Sequence, residues 1–98
     1  MNNSRLYVDF NELIESDLVL LSQQDIKLDY EGKEVLLFQG KHVDIYMDDT
    51  DENGINDNLV ASGTVELNET GLFPICKWNC RINANGIQHE SELSDNEK

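Results

Sequence analysis

The chain has one proline, two cysteines, and only seven lysines and arginines against twenty aspartates and glutamates. Each scarcity removes a class of answer. Two thiols, Cys76 and Cys80, are too few for a disulfide-built scaffold and fit a reducing compartment, so an apolar core must hold the fold. A formal charge of −13 opposes contact with nucleic acid phosphates or anionic lipid, since either adds like-charge repulsion. No run approaches the roughly 18 apolar residues of a membrane span. The polar start Asn2-Asn3-Ser4-Arg5 does not read as a secretory h-region. A cytoplasmic protein is expected, with neither nucleic acid nor membrane as partner. Glycine-rich phosphate loops, nucleophile elbows and H-E-x-x-H are absent as well, and no motif ties His42 or His89 to a nucleophile. An enzyme is therefore not the expectation, and no obligate cofactor is implied.

What the chain does contain is period-two patterning. Val43, Ile45 and Met47 alternate with Asp44, Tyr46 and Asp48, and Ala61, Gly63, Val65 and Leu67 alternate with Ser62, Thr64 and Glu66. These two runs read as the arms of a hairpin. Between Lys41 and Lys77 there is no lysine or arginine, while Asp44, Asp48, Asp49, Asp51, Glu52, Asp57, Glu66 and Glu69 all fall there. The hairpin therefore carries an anionic tip.

Leu6, Val8 and Phe10 form a first short strand, and Asn11 is placed to cap a helical element near 11–18, with Phe10, Leu13, Ile14 and Leu18 spaced to bury one side. The run DLVLLS is either a buried strand or that helix's last turn. Ile26, Leu28 and Tyr30 alternate with Lys27, Asp29 and Glu31, and Glu31-Gly32 turns the chain into KEVLLF as a second hairpin. In ICKWNCRI, Cys76, Trp78, Cys80 and Ile82 share an inward face, and Lys77, Asn79, Arg81 and Asn83 the outward one. Pro74 falls at the start of that strand, where a missing N–H is tolerated. After Asn85-Gly86, a short closing strand or single turn completes a β-rich domain over 1–90, leaving 91–98 as a disordered acidic tail.

Ninety-eight residues suffice for one core. Five to seven short antiparallel strands with one short helical element indicate a mostly β, small barrel or half-barrel, and the strand spacing looks like that of SH3-type barrels.

The tip admits two readings. As a recognition surface, Asp44, Tyr46, Asp48, Asp49, Asp51, Glu52 and Asp57 would engage a basic protein, as a small inhibitor, immunity-type protein or accessory subunit does, with Tyr46 either an interface anchor or a cross-strand sheet contact. Alternatively, Asp49-Thr50-Asp51-Glu52-Asn53-Gly54-Ile55-Asn56-Asp57 resembles the EF-hand calcium-loop pattern D-x-[DN]-x-[DN]-G and is similar to the aspartate-rich loops of thrombospondin type 3 repeats. That resemblance implies a Ca²⁺ site on Asp49, Asp51, Asn53 and Asp57. It departs from the EF-hand at position twelve, which is Val60, and in its strand-like flanks. The same residue types also suit a plain hairpin loop.

Overall fold

The structure, a computed structural model, describes residues 5–94. In chain order the elements are β1 (Arg5–Tyr7), β2 (Leu13–Glu15), β3 (Leu18–Ser22), β4 (Ile26–Leu28), β5 (Glu34–Leu36), β6 (His42–Met47), β7 (Leu59–Leu67), β8 (Trp78–Ile82), β9 (Gln88–His89) and α1 (Glu90–Ser94). The main sheet has the order β1-β6-β7-β8-β3-β2, with β9 added against β7, and β4-β5 form a separate two-stranded sheet. The protein is mostly β, one small domain with one short helix.

β6 and β7 pair antiparallel from His42↔Thr64 to Met47↔Leu59, as their alternation predicts. Val43, Ile45, Ala61 and Val65 are buried with Leu6, Val19, Trp78, Cys80 and Ile82 in one cluster. Leu37 belongs to this cluster and Val35 packs against it, so the inner side of β4-β5 covers the core.

Three expectations require correction. The stretch near 11–18 is not helical: Leu13–Glu15 pairs antiparallel with β3 around a turn at Ser16-Asp17. A helix of one or two turns gains little, because its first turn fixes several residues for one hydrogen bond. The hairpin meanwhile is clamped by Arg81, whose guanidinium bonds Glu66, Glu15 and Asp17 together. Those bonds, with Glu66 first, raise its pKa further above the ordinary arginine value. Next, the strands number nine among the described residues, not five to seven, and are not all antiparallel. β1 runs parallel to β6, with Leu6 opposite Ile45, because the chain makes β2 to β5 before it returns, a crossover long enough for a parallel partner. Last, the sheet does not close into a barrel; β1 and β2 lie at its two ends.

β8 starts at Trp78, later than the alternation indicates, because Phe73 adopts a left-handed backbone (φ 52°) and Pro74-Ile75 make a turn. Residues 90–94 of the C-terminal segment are helical, and the remainder of the expected tail, 95–98, lies outside the described residues. No helix among the described residues is long and apolar enough to cross a membrane.

Candidate functional site

The loop joining β6 to β7 is a small hairpin built by its own aspartates. Asp51 Oδ1 accepts the backbone N–H of Asn53 (2.8 Å) and Ile55 (3.0 Å), and the Asp51 N–H donates to the Ile55 carbonyl. Gly54 takes the positive φ the turn demands, 79°. Asp57 faces α1: it accepts the Ser91 N–H at 3.0 Å and the Ser91 hydroxyl at 2.9 Å. Those bonds hold its carboxyl below the usual aspartate pKa, with His89 adding a smaller pull. Asp49 meets His89 Nε2 at 3.2 Å. On the strand itself, Asp44 accepts the Ser62 hydroxyl at 2.5 Å.

Of the seven residues chosen from sequence for partner binding, Asp44, Asp49, Asp51 and Asp57 thus have local partners inside the fold. Asp48 and Glu52 are exposed, and neither makes a hydrogen bond or ion pair among the described residues. No lysine or arginine among the described residues pairs with Asp48, Asp49, Asp51, Glu52 or Asp57. Three of the four calcium candidates do not converge: Asp49 turns to His89, Asp57 to Ser91 and Asp51 to its own backbone. Among the described residues no three His, Cys, Asp or Glu side chains are grouped to hold a metal ion.

Tyr46 is half-buried at the junction of two sheets. Its ring meets Tyr7, its register partner on β1, edge-on at 5.6 Å, and Tyr30, from the β4-β5 turn, at 6.4 Å. The cross-strand reading of Tyr46 therefore has a concrete partner. Burial, then the charge of Asp48, pushes its phenol pKa up. Tyr46, Asp48 and Tyr30 also line one open depression of about 360 Å³, together with Asn58, Glu90 and Arg5. The Arg5 guanidinium already lies there, 2.6 Å from Glu90. Neither Tyr30 nor Glu90 is distinguished by the sequence pattern, since the parallel β1–β6 pairing and the β4-β5 excursion bring them to Asp48.

Compared with protein-family models, curated proteins and solved structures, the chain matches none. The function must be read from the surface alone.

At the opposite end of β7 the structure holds features that alternation conceals. Asn79, placed on the outward face by period, is 1% exposed, and its amide donates to Asn68 Oδ1 at 3.2 Å. The Asn68 amide in turn donates to the carbonyls of Leu72, Phe73 and Cys76. One side chain thus organises the whole turn, with Leu72, Phe73 and Ile75 left exposed on it.

Both cysteines are buried free thiols, as their alternation with Trp78 predicts. Burial, with help from Glu66 and Asp44, pushes the Cys80 thiol up to about 12. Below about pH 9 the thiol is protonated in both folded and unfolded chains; above it only the unfolded chain ionises readily, so stability falls as pH rises. The loss should reach about 2 kcal/mol near pH 10.5, at roughly 1.4 kcal/mol per pH unit beyond the unfolded pKa. Urea midpoints measured from pH 7 to 10.5 check this, and Cys80→Ala should flatten the decline. An equally steep decline in Cys80→Ala would assign it to other groups.

Proposed function

We propose that the protein is a non-enzymatic binding module that engages a basic protein surface through the acidic end of the β6-β7 hairpin. One observation carries the reading: the carboxylates from Asp48 to Asp57 have no lysine or arginine against them among the described residues. Elsewhere Arg81 and Lys77 are spent on Glu66, Glu15, Asp17 and Asp25. An uncompensated anionic end costs self-repulsion in the isolated protein and is relieved by a cationic partner.

The depression beside Asp48 gives the docking a centre. Tyr30 and Tyr46 supply ring surface and Asp48 an unpaired carboxylate beside the Arg5–Glu90 ion pair, which suits the planar guanidinium of an arginine or the ammonium of a lysine. Asp49, Asp51 and Glu52 then act as the surrounding field, which governs encounter rate more than residence.

A lysine- and arginine-rich peptide titrated into labelled protein tests the reading. Amide shifts should concentrate at Tyr30, Tyr46–Glu52 and Glu90 and fade with added salt. Shifts spread evenly over other carboxylate-bearing segments, such as Glu12, Glu31 and Glu69, would reduce the acidic end to a solubilising surface.

A further inference from the structure

The two-stranded sheet β4-β5 is turned apolar side outward. Register pairs Ile26 with Leu36 and Leu28 with Glu34, so alternation puts Ile26, Leu28, Glu34, Leu36 and Phe38 on one face, while Tyr30, in the turn, packs against Tyr46. The opposite face carries Val35 and Leu37 into the core. On the outer face Ile26 is 45% exposed, Leu28 56%, Leu36 57% and Phe38 49%. Half-exposed side chains of this size leave roughly 300–400 Å² of apolar surface, taking about 150–250 Å² for a fully exposed aromatic and somewhat less for an aliphatic. That is as large as the largest patch of an ordinary monomer and commonly marks an interaction site.

The charges on this face identify what covers it. Glu34 stands near the turn end and is exposed. At the other end Lys41 Nζ lies 5.1 Å from the centre of the Phe38 ring. Glu34 and Phe38 are about 13 Å apart along an extended chain, at roughly 3.3 Å per residue. The face is thus apolar in the middle, with opposite charges at its ends. A two-fold axis lying in the contact plane and crossing β5 reverses one copy on the other. It sets Ile26 and Leu36 against their own counterparts, carries Leu28, which is level with Glu34, to the Phe38 end of the other copy, and brings Glu34 of each copy to Lys41 of the other, a self-complementary contact of the kind isologous dimers require. We infer that the outer face of β4-β5 is a homodimerisation surface, occupied by the same face of a second copy in antiparallel orientation. The contact is independent of the acidic-end reading. It buries roughly 600–800 Å² of apolar surface over both copies, with the charged ends in addition, which is the size of a transient interface, so the dimer is weak and forms only at protein concentrations on the order of 100 μM or above.

Sedimentation equilibrium from about 5 μM to 1 mM, at roughly physiological ionic strength, tests the inference. A monomer–dimer equilibrium is expected, and Leu36→Lys should abolish it while leaving the circular dichroism spectrum unchanged, since Leu36 is exposed. Glu34→Lys alone and Lys41→Glu alone should each weaken dimerisation at least tenfold, because each sets like charges together at both ends of the contact. An equimolar mixture of the two variants should restore it as a heterodimer. If net charge alone governed association, Glu34→Lys would instead dimerise more tightly than the parent. That result, a parent monomeric at 1 mM, a dimer indifferent to Leu36→Lys, or a mixture that fails to associate would each overturn the inference.

Discussion

Replacing Gly63 with alanine should cost about 3 kcal/mol or more, at the upper end of what overpacking a close contact costs. Gly63 is buried in the middle of β7, opposite Val43 on one side and Ile82 on the other. An added Cβ would press far inside contact distance of the Arg81 carbonyl oxygen and reach 2.8 Å from both the Arg81 carbonyl carbon and Cys80 Sγ. The first two obstacles are backbone, so no rotamer change relieves them. Either β7 moves away from β8, weakening the ladder that joins the two halves of the sheet, or the chain stays unfolded. In a domain of this length each kcal/mol moves the melting temperature by about 4–8 °C, so thermal denaturation should show a fall of at least about 12 °C. Adding Cys80→Ala should restore little, because it removes only the sulfur contact. Full rescue by that second change would mean that the two strands sit farther apart than described.

Trp78→Ala should be of similar or greater effect, about 3–5 kcal/mol for a large aromatic removed from a core. Trp78 is 8% exposed and stands at the first position of β8, opposite Leu67 and Ser22 on its two neighbouring strands. Its indole N–H donates to Asp25 Oδ1 at 2.9 Å, and Lys77 both covers the ring and bonds the same carboxylate. These two bonds, Lys77 first, hold the Asp25 carboxyl below its usual pKa. The tryptophan therefore fills core volume and also ties the base of β4-β5 to the main sheet. Out of a total of roughly 5–15 kcal/mol for a domain of this kind, its loss leaves little margin. Trp78→Phe keeps most of the volume and gives up the indole bond to a half-exposed acceptor, at about 1 kcal/mol. Urea denaturation of both variants separates packing from the hydrogen bond. An unchanged midpoint for Trp78→Ala would place the ring on the surface.

The parts of the fold legible in sequence were those in which a residue's period reports its own burial. Val43, Ile45, Ala61, Val65, Trp78, Cys80 and Ile82 alternate, and all are buried. Period says nothing about which strand lies alongside or in what direction, so β1 was not readable as a parallel neighbour of β6. Nor does it say which face of a two-stranded sheet turns inward. Ile26, Leu28 and Tyr30 alternate as cleanly as Val43 and Ile45 yet face solvent, because Val35 and Leu37 on the partner strand fill the core from the other side. In NELIES the apolar spacing suited a helical turn, but the deciding contact was distant in sequence, the grip of Arg81 on Glu15 and Asp17. Asn79 escaped notice because a buried amide is satisfied by Asn68, a partner that no spacing rule supplies. At the acidic end the sequence located the charge, but it could not tell aspartates that build the loop, such as Asp51 and Asp57, from residues open to a partner, such as Asp48 and Glu52.

The most direct test of the proposed function is the association rate of a partner captured from the source organism, measured at several ionic strengths with the parent and with Asp48→Asn/Asp51→Asn/Glu52→Gln. The amide at position 51 keeps an oxygen for the loop's backbone bonds, so the fold should survive, and without the mutual repulsion its melting temperature should equal or exceed the parent's. If the acidic end steers the encounter, the variant should associate about tenfold or more slowly at low salt and lose most of its salt dependence. An unchanged association rate and salt slope would contradict the account and move the binding site away from the acidic end.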